Sequence, residues 1–390
     1  MAGNIMQALY NSMSGLFSFS QSLDTISNNV SNMNTPGFRG SDSFFENVMD
    51  DDGTEIAGTG IDTSEGQIEQ TSTDTDVAIQ GNGLFILKDS EGHLYYTRGG
   101  QFEFNSSGQL VDSVNQYLVQ GYSPTGSLGD IDISNLQTLP GQATTTVNMV
   151  GNVAKASSPE TLTATIYDAQ GTSQVVTVTL TSAAGTSTTN NTWNVAITDA
   201  NNDPLGSGQI VFDSNGSPVA GSNEVTMTDT LGGASQSVVF NFGTPGGLSG
   251  ATDIEGDPTN LAAQVQDGHG VVGLSSEAFD TTGTLQLTYA NGTTTAGPQL
   301  ALATFPDQSQ LQEIQGNLYL PPANQNVQIG RPSSDAFGSI QGSSLEMSNV
   351  NITQELADMI VIQQGYQASS RVMTVSSDML QKLYDATQGG

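Results

Sequence analysis

Apolar residues recur every seven positions near both ends of the chain, and this spacing constrains the fold more than any other feature. Near the start, two such lines are typical of the a and d positions of a coiled-coil helix over residues 2–33. The first line comprises Ala2, Leu9, Leu16, Leu23 and Val30, and the second comprises Ile5, Ser12, Phe19, Ile26 and Met33. Pro36 and Gly37 predict that the helix ends before Asn34.

A second heptad pattern predicts another long helix within residues 351–390. Its main line comprises Ile352, Met359, Tyr366, Met373 and Leu380, flanked by Leu356, Ile360, Ile362 and Leu383. Gly15 costs the first helix about 1 kcal/mol, and Gly365 interrupts the second in the same way. Isolated helices are marginal in water. We therefore expect both helices to pack against neighbouring copies of the chain. The alternative is a two-helix hairpin within one chain that never polymerises.

Between the two helices, apolar residues alternate with polar ones, which predicts β-strands. Residues 162–166 and 176–180 alternate in this way around a turn at residues 168–171, and Asn215-Gly216 and Asn291-Gly292 are typical hairpin turns. The sequence thus predicts a mainly β chain with α-helical termini. The expected parts are a helical domain at 1–33 and 351–390, an extended connector at 34–75, a discontinuous β domain at 76–145 and 271–350, and an inserted β domain at 146–270.

Charge and composition exclude several classes of function. The 39 acidic and 7 basic residues give a formal net charge of -32, whereas nucleic acid and anionic membranes are bound by clustered Lys and Arg. Cysteine is absent, so disulfides and thiolate metal sites are ruled out. We expect no membrane insertion, because no segment approaches the roughly 20 apolar residues of a membrane span. The first residues lack the basic start of a Sec signal peptide, so we expect another export route.

No catalytic, cofactor or metal motif stands out. Asp50-Asp51-Asp52-Gly53 lacks the spacing of a calcium loop, and His93 and His269 do not have metal-ligand spacing. We therefore expect no cofactor and no enzymatic activity. A muramidase with paired carboxylates is the enzymatic alternative, and the sequence carries no motif for it.

Three blocks of sequence resemble the rod and hook family of bacterial flagellar axial proteins. The second block runs from Asp76 to Tyr122, and the third runs from Ser348 to Gln367. The first block spans residues 26–39 and includes Asn28, Asn29, Asn32, Asn34, Thr35, Gly37 and Phe38. Phe45 and Met49, with Phe44 and Val48, also resemble the Phe-x-x-x-apolar element of rod and hook export substrates. A small hydrophobic cluster under the connector is the alternative interpretation of these four residues.

This resemblance implies that the chain is exported unfolded by the flagellar type III system and polymerises outside the cell through its terminal helices. The insert at 146–270 is similar to that of the hook branch, which implies a curved tube that joins rod to filament and transmits torque as a universal joint. The implied partners are further copies, a rod protein, a hook-filament junction protein, a hook cap and the export apparatus. Two alternatives stay open: a distal rod protein with an insert, or a secreted β-rich adhesin or carbohydrate-binding protein.

Overall fold

A computed structural model describes residues 2–48, 53–154, 158–183, 191–231, 234–322, 325–334 and 336–388. The predicted export residue Met49 and the acidic residues 50–52 lie outside these ranges. The described chain has one long α-helix at each end and β-strands between them, which confirms the predicted mainly β fold with helical termini. Neither described helix is long and apolar enough to cross a membrane.

The chain divides into two compact units. The first comprises residues 1–136, 275–288 and 294–390, and the second comprises residues 137–274 and 289–293. The helices are α1 (Ala2–Ser31) and α2 (Ile352–Gln388), and a short 3-10 helix spans Gln308–Gln310.

The strands up to residue 136 are β1 (Ser41–Val48), β2 (Gly53–Ile61), β3 (Ile68–Gln70), β4 (Val77–Gln80), β5 (Leu84–Lys88), β6 (Leu94–Thr97), β7 (Phe102–Phe104), β8 (Leu110–Asp112), β9 (Leu118–Tyr122) and β10 (Leu128–Asp130). The next ten are β11 (Thr138–Leu139), β12 (Thr146–Asn152), β13 (Glu160–Tyr167), β14 (Ser173–Ser182), β15 (Asn191–Thr198), β16 (Pro204–Phe212), β17 (Glu224–Leu231), β18 (Ala234–Asn241), β19 (Ala251–Thr252) and β20 (Ala262–Val265). The last nine are β21 (Val272–Phe279), β22 (Thr284–Tyr289), β23 (Thr294–Leu300), β24 (Leu302–Thr304), β25 (Gln312–Ile314), β26 (Leu318–Leu320), β27 (Gln328–Gly330), β28 (Ser339–Gly342) and β29 (Ser344–Glu346).

The second unit encloses its apolar core with two sheets. Strands β13, β14, β15 and β16 form one antiparallel sheet in that order, and strands β17, β18, β12 and β19, with β20, form the other. Along β14, Val176, Val178 and Leu180 are buried and alternate with threonines, as the period of two predicts. Trp193 is completely buried in this core, and its indole N–H donates to Asp253 Oδ2 at 2.9 Å.

Aspartate-capped turns join several of the strands. The predicted turn at residues 168–171 connects β13 to β14, and Asp168 Oδ1 accepts from the N–H groups of Gln170 at 2.9 Å and Thr172 at 2.8 Å. Gly171 supplies the positive φ of +81° that the turn requires. The same capping pattern recurs at Asp213 and Asp280. In these turns, hydrogen bonds from backbone N–H groups stabilise the carboxylates, which suits a chain with few basic residues.

The β part of the first unit is built around strand β5, which pairs with β6, β9 and β24. Two short pairs tie distant segments together: β4 pairs with β28, and β3 pairs with β29. Residues 34–75, where the sequence predicts an extended connector, contain β3 and the antiparallel hairpin β1–β2. The hairpin forms because its polar strands pair with each other and pack against α1, contacts that a count of apolar residues does not indicate.

Replacing Trp193 with alanine is expected to lower the free energy of unfolding by about 3–5 kcal/mol, because the change opens a large cavity and leaves the Asp253 carboxylate without its donor. Urea unfolding followed by far-UV circular dichroism measures this loss, since the variant has no tryptophan fluorescence. Val175→Ala on β14, where the side chain is 47% exposed, is the control and is expected to cost about 0.5 kcal/mol or less. Equal losses in the two variants would contradict this account of the core.

Candidate polymerisation surface

Helices α1 and α2 pack side by side and run antiparallel within one chain. A Cβ added at Gly15 would lie 3.0 Å from Ser369 Oγ, and one added at Gly365 would lie 2.7 Å from the Phe19 ring. The two glycines, which interrupt the heptads, therefore permit the close approach of the helices. The structure therefore contains the helix hairpin within one chain that was stated above, and polymerisation of this hairpin through its other faces stays a prediction.

The buried side of α1 is lined mainly by small or polar residues rather than by the predicted heptad lines. The buried positions are Ser12, Gly15, Ser18, Ser22, Ile26 and Asn29. Ser14 and Ser18 donate hydrogen bonds to the carbonyl of Thr54 on β2 at 2.6 and 2.8 Å. Phe19 packs near Phe45 of β1, with ring centroids 6.0 Å apart. These short side chains let α1 lie close to both α2 and the β1–β2 hairpin.

The predicted heptad residues lie mostly at the borders of this interface. On α1, Ile26 is buried, and the half-buried residues are Ile5, Leu9, Leu16, Phe19, Leu23 and Val30, with Met33 half-buried just after the helix. On α2, Met359 and Leu380 are half-buried, and the exposed residues are Ile352, Leu356, Ile360, Tyr366, Met373 and Leu383. Their role in polymerisation remains a prediction.

A further apolar line, distinct from the two heptad lines predicted above, lies on the side of α1 away from α2. We call it the outer seam, and it comprises Met6 (58% exposed), Tyr10 (43%), Met13 (42%) and Phe17 (70%). Met6 and Met13, like Tyr10 and Phe17, are seven residues apart, so a search for further heptads would have found it. Helix α2 also exposes apolar side chains, namely Val361, Val372, Val375 and Met379.

Asn29 of the first resemblance block joins three elements. Its side-chain amide donates to the carbonyl of Ser41 on β1 at 3.0 Å and to Glu355 Oε1 on α2 at 2.9 Å. Its Oδ1 accepts from the N–H of Ser41 at 3.0 Å. The first block therefore contains a residue that fixes where α1, α2 and the β1–β2 hairpin meet.

The rest of the first block forms the turn that follows α1. Asn32 donates to Asn28 Oδ1 at 3.0 Å and accepts from the hydroxyl of Thr35 at 3.2 Å. Phe38 is buried, whereas Asn34 is exposed. Gly37 has a φ of +71°, and a Cβ there would lie 2.3 Å from the backbone nitrogen of Gly99. Glycine is therefore required where this turn meets the second block.

A buried ion pair ties the second block to the segment before α2. The side chain of Arg98 is completely buried, pairs with the carboxylate of Glu346, and donates to the carbonyls of Ile79 at 2.7 Å and Gly83 at 2.6 Å. The carbonyl of Glu346 accepts from the N–H of Gly37 at 2.7 Å. Glu346 was not identified from the sequence as a structural residue. Basic residues are scarce in this chain, so Arg98 in a conspicuous motif could have indicated a buried carboxylate partner.

The three resemblance blocks thus meet in the first unit. Asn349 of the third block accepts from the N–H of Gly40 at 2.8 Å and donates to the carbonyls of Asp62 and Ser64 at 3.1 and 3.0 Å. Among the described residues, no group of three or more His, Asp or Glu side chains is arranged to hold a metal ion. The contacts among the three blocks hold the ends of α1 and α2 against the β-strands of the first unit.

Carboxylates crowd the groove between α1, α2 and β1. Desolvation is the main cause that raises the pKa of Asp42, and repulsion from Asp62 and Asp358 raises it further. Desolvation also raises the pKa of Glu355, with further repulsion from Asp42 and Asp358, while its hydrogen bond from Asn29 acts in the opposite direction. These charges repel one another in the isolated subunit.

Replacing Glu346 with alanine is expected to lower the free energy of unfolding by about 3–5 kcal/mol, because the buried Arg98 charge loses its counter-ion. The double variant Arg98→Met/Glu346→Leu is expected to lose less, since no unpaired charge remains. Urea unfolding measures both. Glu91→Ala is the control, because this side chain is 78% exposed. Its free energy of unfolding is expected to stay within about 0.5 kcal/mol of the parent value. A loss as small as that of the control would show that the Arg98 charge is not held by Glu346.

Asp42→Asn is expected to stabilise the fold at pH 7 by a few tenths of a kcal/mol, about 0.3, because the partly exposed carboxylate is repelled by its neighbours. A raised folded-state pKa means that stability falls as pH rises through that pKa, so the gain should vanish near pH 3, where the carboxyl is protonated in both states. Hydrogen bonds from the Ser309 hydroxyl and backbone N–H lower the pKa of Asp307, so Asp307→Asn should have the opposite sign. Thermal unfolding across pH 3–8 measures the stability of both variants. Stability changes of the same sign at pH 7 would contradict the opposite pKa shifts of Asp42 and Asp307.

Three family profiles match the chain. "Flagella basal body rod protein" matches residues 9–39, "Flagellar hook protein FlgE/F/G D1 domain" matches residues 78–155, and "Flagellar basal body rod FlgEFG protein C-terminal" matches residues 341–386. These ranges overlap the three resemblance blocks and most of both helices.

Curated relatives extend the similarity over nearly the whole chain. The flagellar hook protein FlgE of Brucella suis is 28% identical over 95% of this chain and 96% of its own, and that of Escherichia coli is 28% identical over 96% and 99%. The crystal structure of Helicobacter pylori flagellar hook protein FlgE2 aligns with 72% of this chain and 100% of its own, at 13% identity and a TM-score of 0.44. The chain belongs to the flagellar rod and hook protein family.

Proposed function

We propose that the chain is a structural subunit of the flagellar hook and that it polymerises through its terminal helices. The observation that carries this proposal is the outer seam, whose four large apolar side chains remain exposed after α1 has packed against α2 and the β1–β2 hairpin. Soluble proteins seldom expose a continuous apolar line without a partner. The hook-protein relatives cover nearly all of this chain, which favours the hook over the other family members.

Burial of the outer seam would stabilise contacts between copies. A large apolar side chain contributes about 1.5–3 kcal/mol when it goes from fully exposed to fully buried, and these four are about half exposed, so together they contribute on the order of 3–6 kcal/mol before the entropic cost of association. The exposed apolar residues of α2 add to this. Polymerisation then depends on subunit concentration by mass action.

The family implies self-polymerisation in the context of the hook and basal body. The finer assignments are part of the proposal: export through the flagellar type III system, contacts with a rod protein below and a junction protein above, and assembly under a cap. Phe45 of the export element lies exposed on β1, beside Phe19. It therefore also forms part of a small cluster with α1, which is the alternative role stated above.

We propose that residues 146–270 form an outer domain of the tube and that the helical residues form its inner layer. The outward side chains of β13 are threonines at positions 161, 163 and 165, and all three are exposed. Polar, hydrated contacts between such surfaces exchange hydrogen bonds at small net cost, which suits subunits that slide while the tube bends.

The alternatives differ in what they require. A distal rod protein with an insert would use the same helices but form straight tubes. An adhesin or carbohydrate-binding protein would need an exposed aromatic platform, whereas Trp193, the single tryptophan of the sequence, is buried. The family consists of structural flagellar proteins, and we propose that this chain has no catalytic role.

Phe17→Asp is expected to abolish tube formation while leaving the subunit folded, because a charge replaces the most exposed residue of the outer seam. Negative-stain electron microscopy in a precipitating salt measures assembly, and circular dichroism confirms folding. Leu248→Asp is the matched control, since this side chain is 57% exposed in the second unit, and it should assemble normally.

A variant that lacks residues 1–33 and 351–390 provides the complementary test and is expected to stay monomeric. Curved tubes from the full chain would support a hook subunit, and straight ones would favour a rod subunit. Tubes formed by Phe17→Asp would contradict a role for the outer seam, and monomers from the full chain would contradict the proposed function.

A further inference from the structure

We propose that Arg371 of one copy docks, with its neighbours Val372 and Val375, into an acidic groove of a second copy, and that this contact sets the axial stagger between neighbouring subunits. The inference rests on the proposed function, because it requires the chain to polymerise. The acidic groove lies between α1, β1 and α2, has a volume of about 320 Å³, and is lined by residues that include Asp42, Phe44, Glu355, Asp358 and Val361.

The acidic groove combines exposed apolar surface with uncompensated negative charge. Phe44 is 58% exposed and Val361 is 65% exposed. Helix α1 and strands β1 and β2 contain no Lys, Arg or His, and within the described residues neither Asp42 nor Asp358 forms an ion pair. The desolvation and mutual repulsion that raise the pKa of Asp42 and Glu355 agree with a site that lacks its counter-ion. The groove therefore fits a cation carried on an apolar surface.

The chain offers few cations that are free to fill this groove. Arg39 and Arg98 lie against Glu346, Lys88 pairs with Asp130, and Arg331 contacts Gln299 and stacks on the Tyr122 ring at 4.4 Å. Lys155 lies outside the described ranges. Among the described basic residues, this leaves Arg371 and Lys382, both exposed on α2 and without an ion pair.

Arg371 fits the groove better than Lys382. Asp378 precedes Lys382 by four residues on the same helix, so its carboxylate lies on the same face and partly offsets the Lys382 charge without forming an ion pair in the described structure. Asp378 lies seven residues after Arg371, two turns away. Val372, which is 47% exposed, and Val375, which is 51% exposed, flank Arg371 and provide the apolar surface that matches Phe44 and Val361. A planar guanidinium also pairs with carboxylates and stacks on aromatic rings better than an ammonium group does.

The contact must join two copies. Arg371 and Asp358 are thirteen residues apart on one continuous helix, which separates them by about 20 Å, too far for a side chain to bridge. When a parallel neighbour places its Arg371 at the level of Asp358, it is shifted by about 20 Å along the helix. Such a contact joins two different surface patches, so it repeats as an open helical polymer rather than closing into a dimer.

Charge reversal tests the pairing. Arg371→Glu is expected to raise the critical concentration for tube formation at least about tenfold, equivalent to about 1.4 kcal/mol, and Asp358→Arg is expected to do the same. The double variant Asp358→Arg/Arg371→Glu should recover assembly to within about twofold of the parent, because the pair is restored with its signs exchanged. Lys382→Glu changes the net charge by the same amount at the other free cation and is the matched control, with an expected effect under about twofold.

Mixing the single variants provides a test that does not depend on the double variant. Neither Arg371→Glu nor Asp358→Arg should form tubes at concentrations where the parent does, yet an equimolar mixture should, since each reversed surface meets its complement on the other variant. Asp358→Cys/Arg371→Cys in this cysteine-free chain should also give ladders with a short bismaleimide in assembled tubes.

The outcomes separate the two proposals. Failure of the parent chain to form tubes would overturn the proposed function and this inference with it. Tubes from the parent and equally good tubes from Arg371→Glu would overturn the inference alone and leave the groove to a different partner. Loss of assembly in the single variants without recovery in either the double variant or the mixture would also overturn the pairing. Recovery in both would establish it.

Discussion

The first unit depends on the carboxylate of Glu346 and its buried partner Arg98. One carboxylate oxygen pairs with the guanidinium, and the other accepts from the N–H of Gly66 at 3.0 Å. The backbone carbonyl of the same residue holds Gly37, just after α1. Glu346 is also the last residue of β29, shortly before α2 begins. A buried ion pair is costly to desolvate, so its value here lies in orientation: it fixes the points at which both helices leave the β-strands.

The helices have two different faces because they have two different neighbours. Serine and glycine line the side of α1 that meets α2 and the hairpin, where backbones approach closely and hydroxyls bond to carbonyls. Methionine, tyrosine and phenylalanine lie away from α2, along the edge next to β2, and remain 42–70% exposed in the isolated subunit. Packing inside the chain is thus close, and part of the apolar surface of α1 is left for contacts between copies.

The sequence predicted the element types well and their contacts less well. The heptads indicated both helices, and the alternation at residues 162–180 indicated β13 and β14, because both signals are local periodicities. The β1–β2 hairpin was not predicted, since its strands are stabilised by pairing and by α1 rather than by an apolar pattern. Gly15 and Gly365 were interpreted as defects, although they are contact points. The partnership of Glu346 with Arg98 joins positions 248 apart, which no local pattern reveals.

The hydrogen bond between Asn29 and Glu355 joins positions 326 apart in the chain, which determines when the helical surface can exist. Contacts of such long separation carry a large loop-closure entropy unless intervening structure has already brought the two segments together. The short β3–β29 and β4–β28 pairs do this, so we expect the helix hairpin to close after these strands have paired. On this order, a copy whose strands have not folded would lack the paired helices, and the order of folding would act as a quality check on the subunits that join the polymer.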